Sequence, residues 1–169
     1  HPGQLLCVLC ILCVLGSSAG AQEPKAPEAT SPAALSAAID KLGDLDYAIR
    51  TNASRTVRRT AAPQAVTALL RAAAEHADGY VRYRALVLLT GFNDPRTKDA
   101  MRESISSPND RLRAVAYSFF EHNPDSNMVP ALMQALDREQ AEFVRPALIR
   151  ALAAAGDDMR VQPLQVYAR

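Results

Sequence analysis

The chain has 169 residues, with 19 Lys and Arg against 18 Asp and Glu and a formal net charge of +1. That balance argues against a surface built throughout for nucleic acid or anionic membrane. Hydrophobic residues make up 49% of the chain but aromatics only 5%, a bias towards small side chains that suits stacked helices rather than packed sheets.

Residues 1–21 read as a secretory signal peptide. Leu5 to Leu15 is an unbroken apolar run of eleven residues, well short of the roughly 20 that a bilayer-spanning helix needs. Gly16-Ser17-Ser18 follows, and then Ala19-Gly20-Ala21, an A-x-A-like cleavage site that leaves Gln22 at the mature N-terminus. The exported product is expected in the periplasm or fully secreted. Cys7, Cys10 and Cys13 have the spacing of part of an iron–sulfur ligand run. Val, Leu and Ile lie between them and no fourth cysteine follows, so they read as part of the apolar run. The mature chain then has no disulfide and no thiol nucleophile. Residues 22–32 contain three prolines among Glu, Lys, Ser and Thr and read as a flexible linker.

From residue 33 to 169 the chain repeats. Ile49-Arg50, Val81-Arg82, Leu112-Arg113 and Val144-Arg145 are apolar-arginine pairs spaced 32, 31 and 32 residues apart. A fixed period of this length marks an array in which each unit buries its apolar face against the next. Four residues after each apolar anchor come Ala53, Ala85, Ala116 and Leu148, and four later Val57, Leu89, Phe120 and Leu152. Residues at i, i+4 and i+8 form one stripe, so each unit has an inward-facing second helix. Asp46, Asp78, Asp110 and Glu142 stand where N-caps or acidic first turns belong. On the first helices Ala37, Leu69, Ala100, Leu132 and Leu164 form one column, and Ala38, Leu70, Met101, Met133 and Gln165 its neighbour. Turns are expected at Ala62-Pro63, Asp94-Pro95, Pro124-Asp125 and Gly156-Asp157. The prediction is an all-α solenoid of four antiparallel helix pairs, roughly 33–61, 63–92, 95–123 and 127–155, with a fifth begun at 159–169. Because the chain opens on His1 and stops within a helical pattern, a longer parent protein is expected.

Asp94-Pro95-Arg96, an apolar helix, a polar turn and then Leu112-Arg113-Ala114-Val115-Ala116 resemble the HEAT-like repeat first described in phycobilisome lyases. Residues 79–96 and 142–158 follow the same pattern. The resemblance implies a fold and a role as adaptor, since such repeats serve many unrelated proteins. It also implies that Arg50, Arg82, Arg113 and Arg145 form a structural ladder, bonding acidic and carbonyl groups of the adjoining turn and tying neighbouring units together. A phosphate-tracking ladder is the competing reading, because arginine forks onto phosphate oxygens.

Glu75-His76 and Glu121-His122 invert the His-Glu order of di-iron HEAT-like hydroxylases and fall at different phases of the repeat. They read as surface turn residues, so no metal or other cofactor is expected. No G-x-S-x-G, Walker A, H-E-x-x-H or G-x-G-x-x-G motif occurs, so no catalytic residue is expected and the chain is not read as an enzyme. The exposed side of the second helices carries the candidate partner-binding residues Arg55, Arg58, Tyr83, Arg84 and Arg150. The expected partner is a protein or peptide with an acidic segment, held along the concave face. The alternative is the repeat module of a larger exported enzyme or electron-transfer protein; nucleic acid is the least favoured partner.

Overall fold

Short polar side chains start four of the eight described α-helices. Ser31 Oγ accepts from the Ala34 amide at 3.2 Å, and Pro32 supplies a first helical position that needs no donor. Asp46 accepts from the Ala48 amide at 2.6 Å, Asp78 from the Tyr80 amide at 2.7 Å, and Asn109 from the Arg111 amide at 3.0 Å. In the third unit the cap is therefore Asn109, with Asp110 as the first helical residue. Glu142 lies in the turn before the last helix, and within that connection Glu139 accepts from the Ala141 amide at 3.0 Å.

The computed structural model describes residues 30–167, so the signal peptide and most of the linker lie outside the described residues. The order is α1 (Pro32–Asp40), α2 (Tyr47–Arg59), α3 (Ala62–Glu75), α4 (Gly79–Leu89), α5 (Arg96–Ser104), α6 (Asp110–His122), α7 (Val129–Arg138) and α8 (Arg145–Tyr167). Single 3-10 turns at Lys41–Gly43 and Ser126–Met128 follow α1 and precede α7. The architecture is all-α, four antiparallel helix pairs stacked into a solenoid, with no strand among the described residues.

One continuous core runs through the stack. Leu35, Leu69, Met101 and Leu132 come from the first helices, and Val57, Leu89, Phe120 and Leu148 from the second. The second helices of neighbouring units pack on one another along α4, α6 and α8. The first helices splay, leaving an open groove of about 740 Å³ between α1 and α3, lined in part by Leu35, Ile39, Gln64 and Ala68.

Two boundaries differ from expectation. The end of the linker is docked: Thr30 Oγ1 lies 2.9 Å from Thr60 Oγ1, and Gln64 Nε2 donates to the Thr30 carbonyl at 2.6 Å. The turn expected at Gly156-Asp157 is absent, and α8 runs unbroken to Tyr167. No described glycine adopts the left-handed conformation that would end a helix. A single glycine costs a helix only about 1 kcal/mol. Asn93, with φ of 54°, makes the sharp turn between α4 and α5 instead.

Candidate functional site

The four ladder arginines do the same local job. Each stands in the first turn of a second helix and reaches back to the carbonyl six residues earlier, and all but Arg145 also to the one five earlier. Arg50 Nη1 donates to the Asp44 and Leu45 carbonyls at 2.6 and 2.8 Å, and Arg82 Nη1 to those of His76 and Ala77 at 2.6 and 3.4 Å. Arg113 Nη1 meets the Ser107 and Pro108 carbonyls at 2.9 and 3.2 Å, and Arg145 Nη1 the Glu139 carbonyl at 3.0 Å. Carbonyls after a helix end have no helical partner, and one charged planar donor group satisfies two of them. These bonds span the turn within each unit rather than tying units together as the resemblance implies. The nearby acids are not its partners, because Asp46 and Asp78 are occupied as helix caps.

Arg113 is the exception that also crosses between units. Its Nε and Nη2 donate to the two carboxylate oxygens of Glu139 at 2.7 and 2.9 Å, with the Glu139 side chain 1% exposed. This fork holds the Glu139 carboxyl below the ordinary carboxylate range, against burial, which pushes the other way. Burial raises the neighbouring Tyr117 hydroxyl to about 12, aided by the Glu139 charge. Glu139 binds its proton less readily folded than unfolded, so it contributes stability above the ordinary glutamate value of 4.5. That contribution disappears as pH falls through the lower folded value. Urea midpoints measured down a pH series are therefore expected to fall below about pH 4.5 more steeply for the parent than for Glu139→Gln, which has no such proton to gain. Parallel profiles would remove Glu139 from the acid response.

The candidate face is built by residues six and nine positions after each anchor. The first set is Arg55, Val87, Ser118 and Arg150, and the second is Arg58, Thr90, Glu121 and Ala153. On α2, Arg55 and Arg58 are exposed; Arg55 Nη1 donates to Asn52 Oδ1 at 3.0 Å, and Arg58 makes no ion pair among the described residues. Arg59 beside them is also exposed and unpaired among the described residues. Between α4 and α6, Val87, Thr90, Val115, Ser118 and Phe119 line a shallow cleft of about 370 Å³ that ends at His122 and Asn123. On α8, Arg150 Nε pairs with Glu121 Oε1 at 2.8 Å. The stripe thus runs from a basic end on α2, through an apolar cleft, to a neutralised end on α8.

Two expected members do not belong to it. Arg84 turns away and donates from Nη2 to Ser54 Oγ at 3.2 Å, while its buried Nε makes no hydrogen bond among the described residues. Position three after the anchor faces the preceding unit, so Arg84 is an inter-unit contact. Tyr83 is half-buried against the core, its ring 5.7 Å from that of Tyr80. The sequence reading missed the cleft residues Val115 and Phe119, which lie one helical step from the chosen stripe. It also missed Glu139, for which no pattern among the acids was available.

His76 and His122 do not come together. His76 Nε2 faces Asp40 Oδ1 at 3.2 Å between the first two units, whereas His122 Nδ1 lies 2.8 Å from the Ser118 carbonyl on its own helix. Among the described residues no helix is long and apolar enough to cross a membrane. The family model described as HEAT repeats matches residues 67–153, from within α3 into α8. No curated protein matches the chain.

Proposed function

Because the chain belongs to the HEAT-repeat family, we propose that it is an exported scaffold holding a protein or peptide along the exposed face of its second helices. Such repeats commonly serve as interaction scaffolds, each unit adding a strip to one extended surface. The observation that carries the reading is the shared register of charge and cleft. Arg55 and Arg58 occupy the same two columns as Val87 and Thr90, so one extended segment can touch both. The partner that fits has an acidic stretch followed by an apolar side chain. Export rests on residues 5–21, and the mass of the exported form should correspond to a chain starting at Gln22. The Asp94-Pro95-Arg96 turn and the apolar-Arg-x-x-Ala run support the lyase-type subclass of the repeat, which identifies the scaffold and not a reaction. With Arg50, Arg82, Arg113 and Arg145 engaged on turn carbonyls, Arg55 and Arg58 are the basic groups this reading assigns to a binding module.

The test is binding of a labelled peptide that joins a run of glutamates to an apolar segment. Arg55→Ala with Arg58→Ala should weaken it about three- to tenfold and flatten its salt dependence. Val87→Ser should weaken it with the salt dependence unchanged. Neither change should move the thermal midpoint, since these side chains lie outside the core. Equal binding of a basic peptide, or no effect of either change, would sink the proposal.

A further inference from the structure

One register position recurs at the approach to every second helix: Asp44, His76, Ser107 and Glu139, each six residues before a ladder arginine. All four side chains accept from the amide two residues on, at 2.8, 3.0, 3.2 and 3.0 Å. What each does beyond that bond differs. Glu139 reaches the preceding unit, where its two oxygens take the Nε and Nη2 of Arg113. Its φ of -71° and ψ of 113° make it a glutamate on extended backbone. Ser107, one unit earlier, makes no bond to Arg82.

Arg82 therefore keeps one edge of its guanidinium unpaired. Nη1 is held by the His76 and Ala77 carbonyls at 2.6 and 3.4 Å, which fixes the group in place. Nε and Nη2, the pair that Arg113 uses on Glu139, make no hydrogen bond among the described residues. Asn109 supplies no acceptor, since its Oδ1 takes the Arg111 amide and its Nδ2 donates to the Gly79 carbonyl at 3.3 Å. The half-buried Arg82 lines a groove of about 590 Å³ between α3 and α5, with Leu70, Ala73, Ala100 and Ser107 among its walls. The matching space beside Arg113, where Glu139 forms part of the wall, is about 250 Å³.

The other charges around the groove are mostly spent. Arg96 pairs with Asp94 at 2.9 Å and Asp99 with Arg102 at 2.7 Å. Glu103 is exposed and makes no ion pair among the described residues, so its charge opposes an anion here. A preset arginine fork matches the two oxygens of a carboxylate.

We infer that the groove between α3 and α5 docks a glutamate carried on an extended segment of a partner polypeptide. Its carboxylate forks onto Arg82 Nε and Nη2 as Glu139 does onto Arg113, and its apolar neighbours rest on Leu70, Ala73 and Ala100. The second and third units bound the groove on both sides. It shares no residue with the stripe of Arg55 and Arg58 or with the cleft at Val87, and it does not rest on that reading.

Arginine Nε–H resonances of the isotopically labelled full chain carrying Arg55→Ala and Arg58→Ala test it, apart from any binding at the exposed stripe. The Arg113 resonance marks a carboxylate-bound fork. A capped peptide with one glutamate between leucine and alanine should move the Arg82 resonance towards that position and saturate. The same peptide with glutamine should not. Ser107→Glu places an internal carboxylate in the register of Glu139. It should shift the Arg82 resonance without peptide, raise the thermal midpoint and weaken peptide binding at least about tenfold. Ser106→Glu adds the same charge on an exposed neighbour and should leave binding within about twofold. Glu103→Gln should strengthen binding. An Arg82 resonance that ignores the glutamate peptide overturns the inference. So does an equal response to the glutamine peptide or to acetate at the same concentration, an equal loss in Ser106→Glu, or weaker binding by Glu103→Gln.

Discussion

Arg113→Ala is expected to destabilise the fold by about 3–5 kcal/mol, the range for breaking a buried ion pair by removing one partner. The guanidinium contributes a two-pronged bond to Glu139 and closes two turn carbonyls at the same time. Without it, the Glu139 carboxylate keeps the Ala141 amide and a long contact from Tyr117. Arg82→Ala removes bonds only to carbonyls and should cost less, about 1–3 kcal/mol. Chemical denaturation of both variants reads the difference. Equal losses would mean that turn closure, not the ion pair, dominates at Arg113. Replacing both partners, Arg113→Met with Glu139→Leu, should recover most of the loss, because no charge is then left buried.

Leu132→Ala is expected to cost about 2–5 kcal/mol, combining lost transfer energy with the cavity left behind. Leu132 is fully buried in α7, in the first-helix column that joins successive units. Thr90→Ala, on the exposed side of α4, should stay within about 0.5 kcal/mol. A denaturant midpoint for Leu132→Ala as high as that of Thr90→Ala would displace Leu132 from the core. In an array stabilised by nearest-neighbour contacts, the Leu132 change should loosen the last pair of helices most.

The fold was legible because its signal is periodic. Val57, Leu89 and Phe120 recur at one phase of a helix, and burial of that phase is what stacking the units requires. What the arginines bind was not legible, because a carbonyl acceptor leaves no side-chain trace. Asp46 lies close enough in sequence to suggest a partner, yet it is taken by the backbone amides of its own helix. Arg84 went astray for a related reason: its helical phase places it at the edge of the exposed face, and its length lets it reach back to Ser54. Ile49 shows the limit of reading a repeat by position, since the same column is core in three units and surface in the first.

The arginine clamps have a mechanical consequence. Each helix pair carries its own bolt across its turn, so an individual hairpin resists opening when the array is pulled or bent. The seams between hairpins are held unequally. Units 3 and 4 are riveted by Arg113 and Glu139, whereas units 1 and 2 share the bond from Arg84 to Ser54 and the exposed pair of His76 with Asp40. The seam between α6 and α8 thus carries a buried charged clasp, whereas the first seam is held by packing and by neutral or exposed polar contacts.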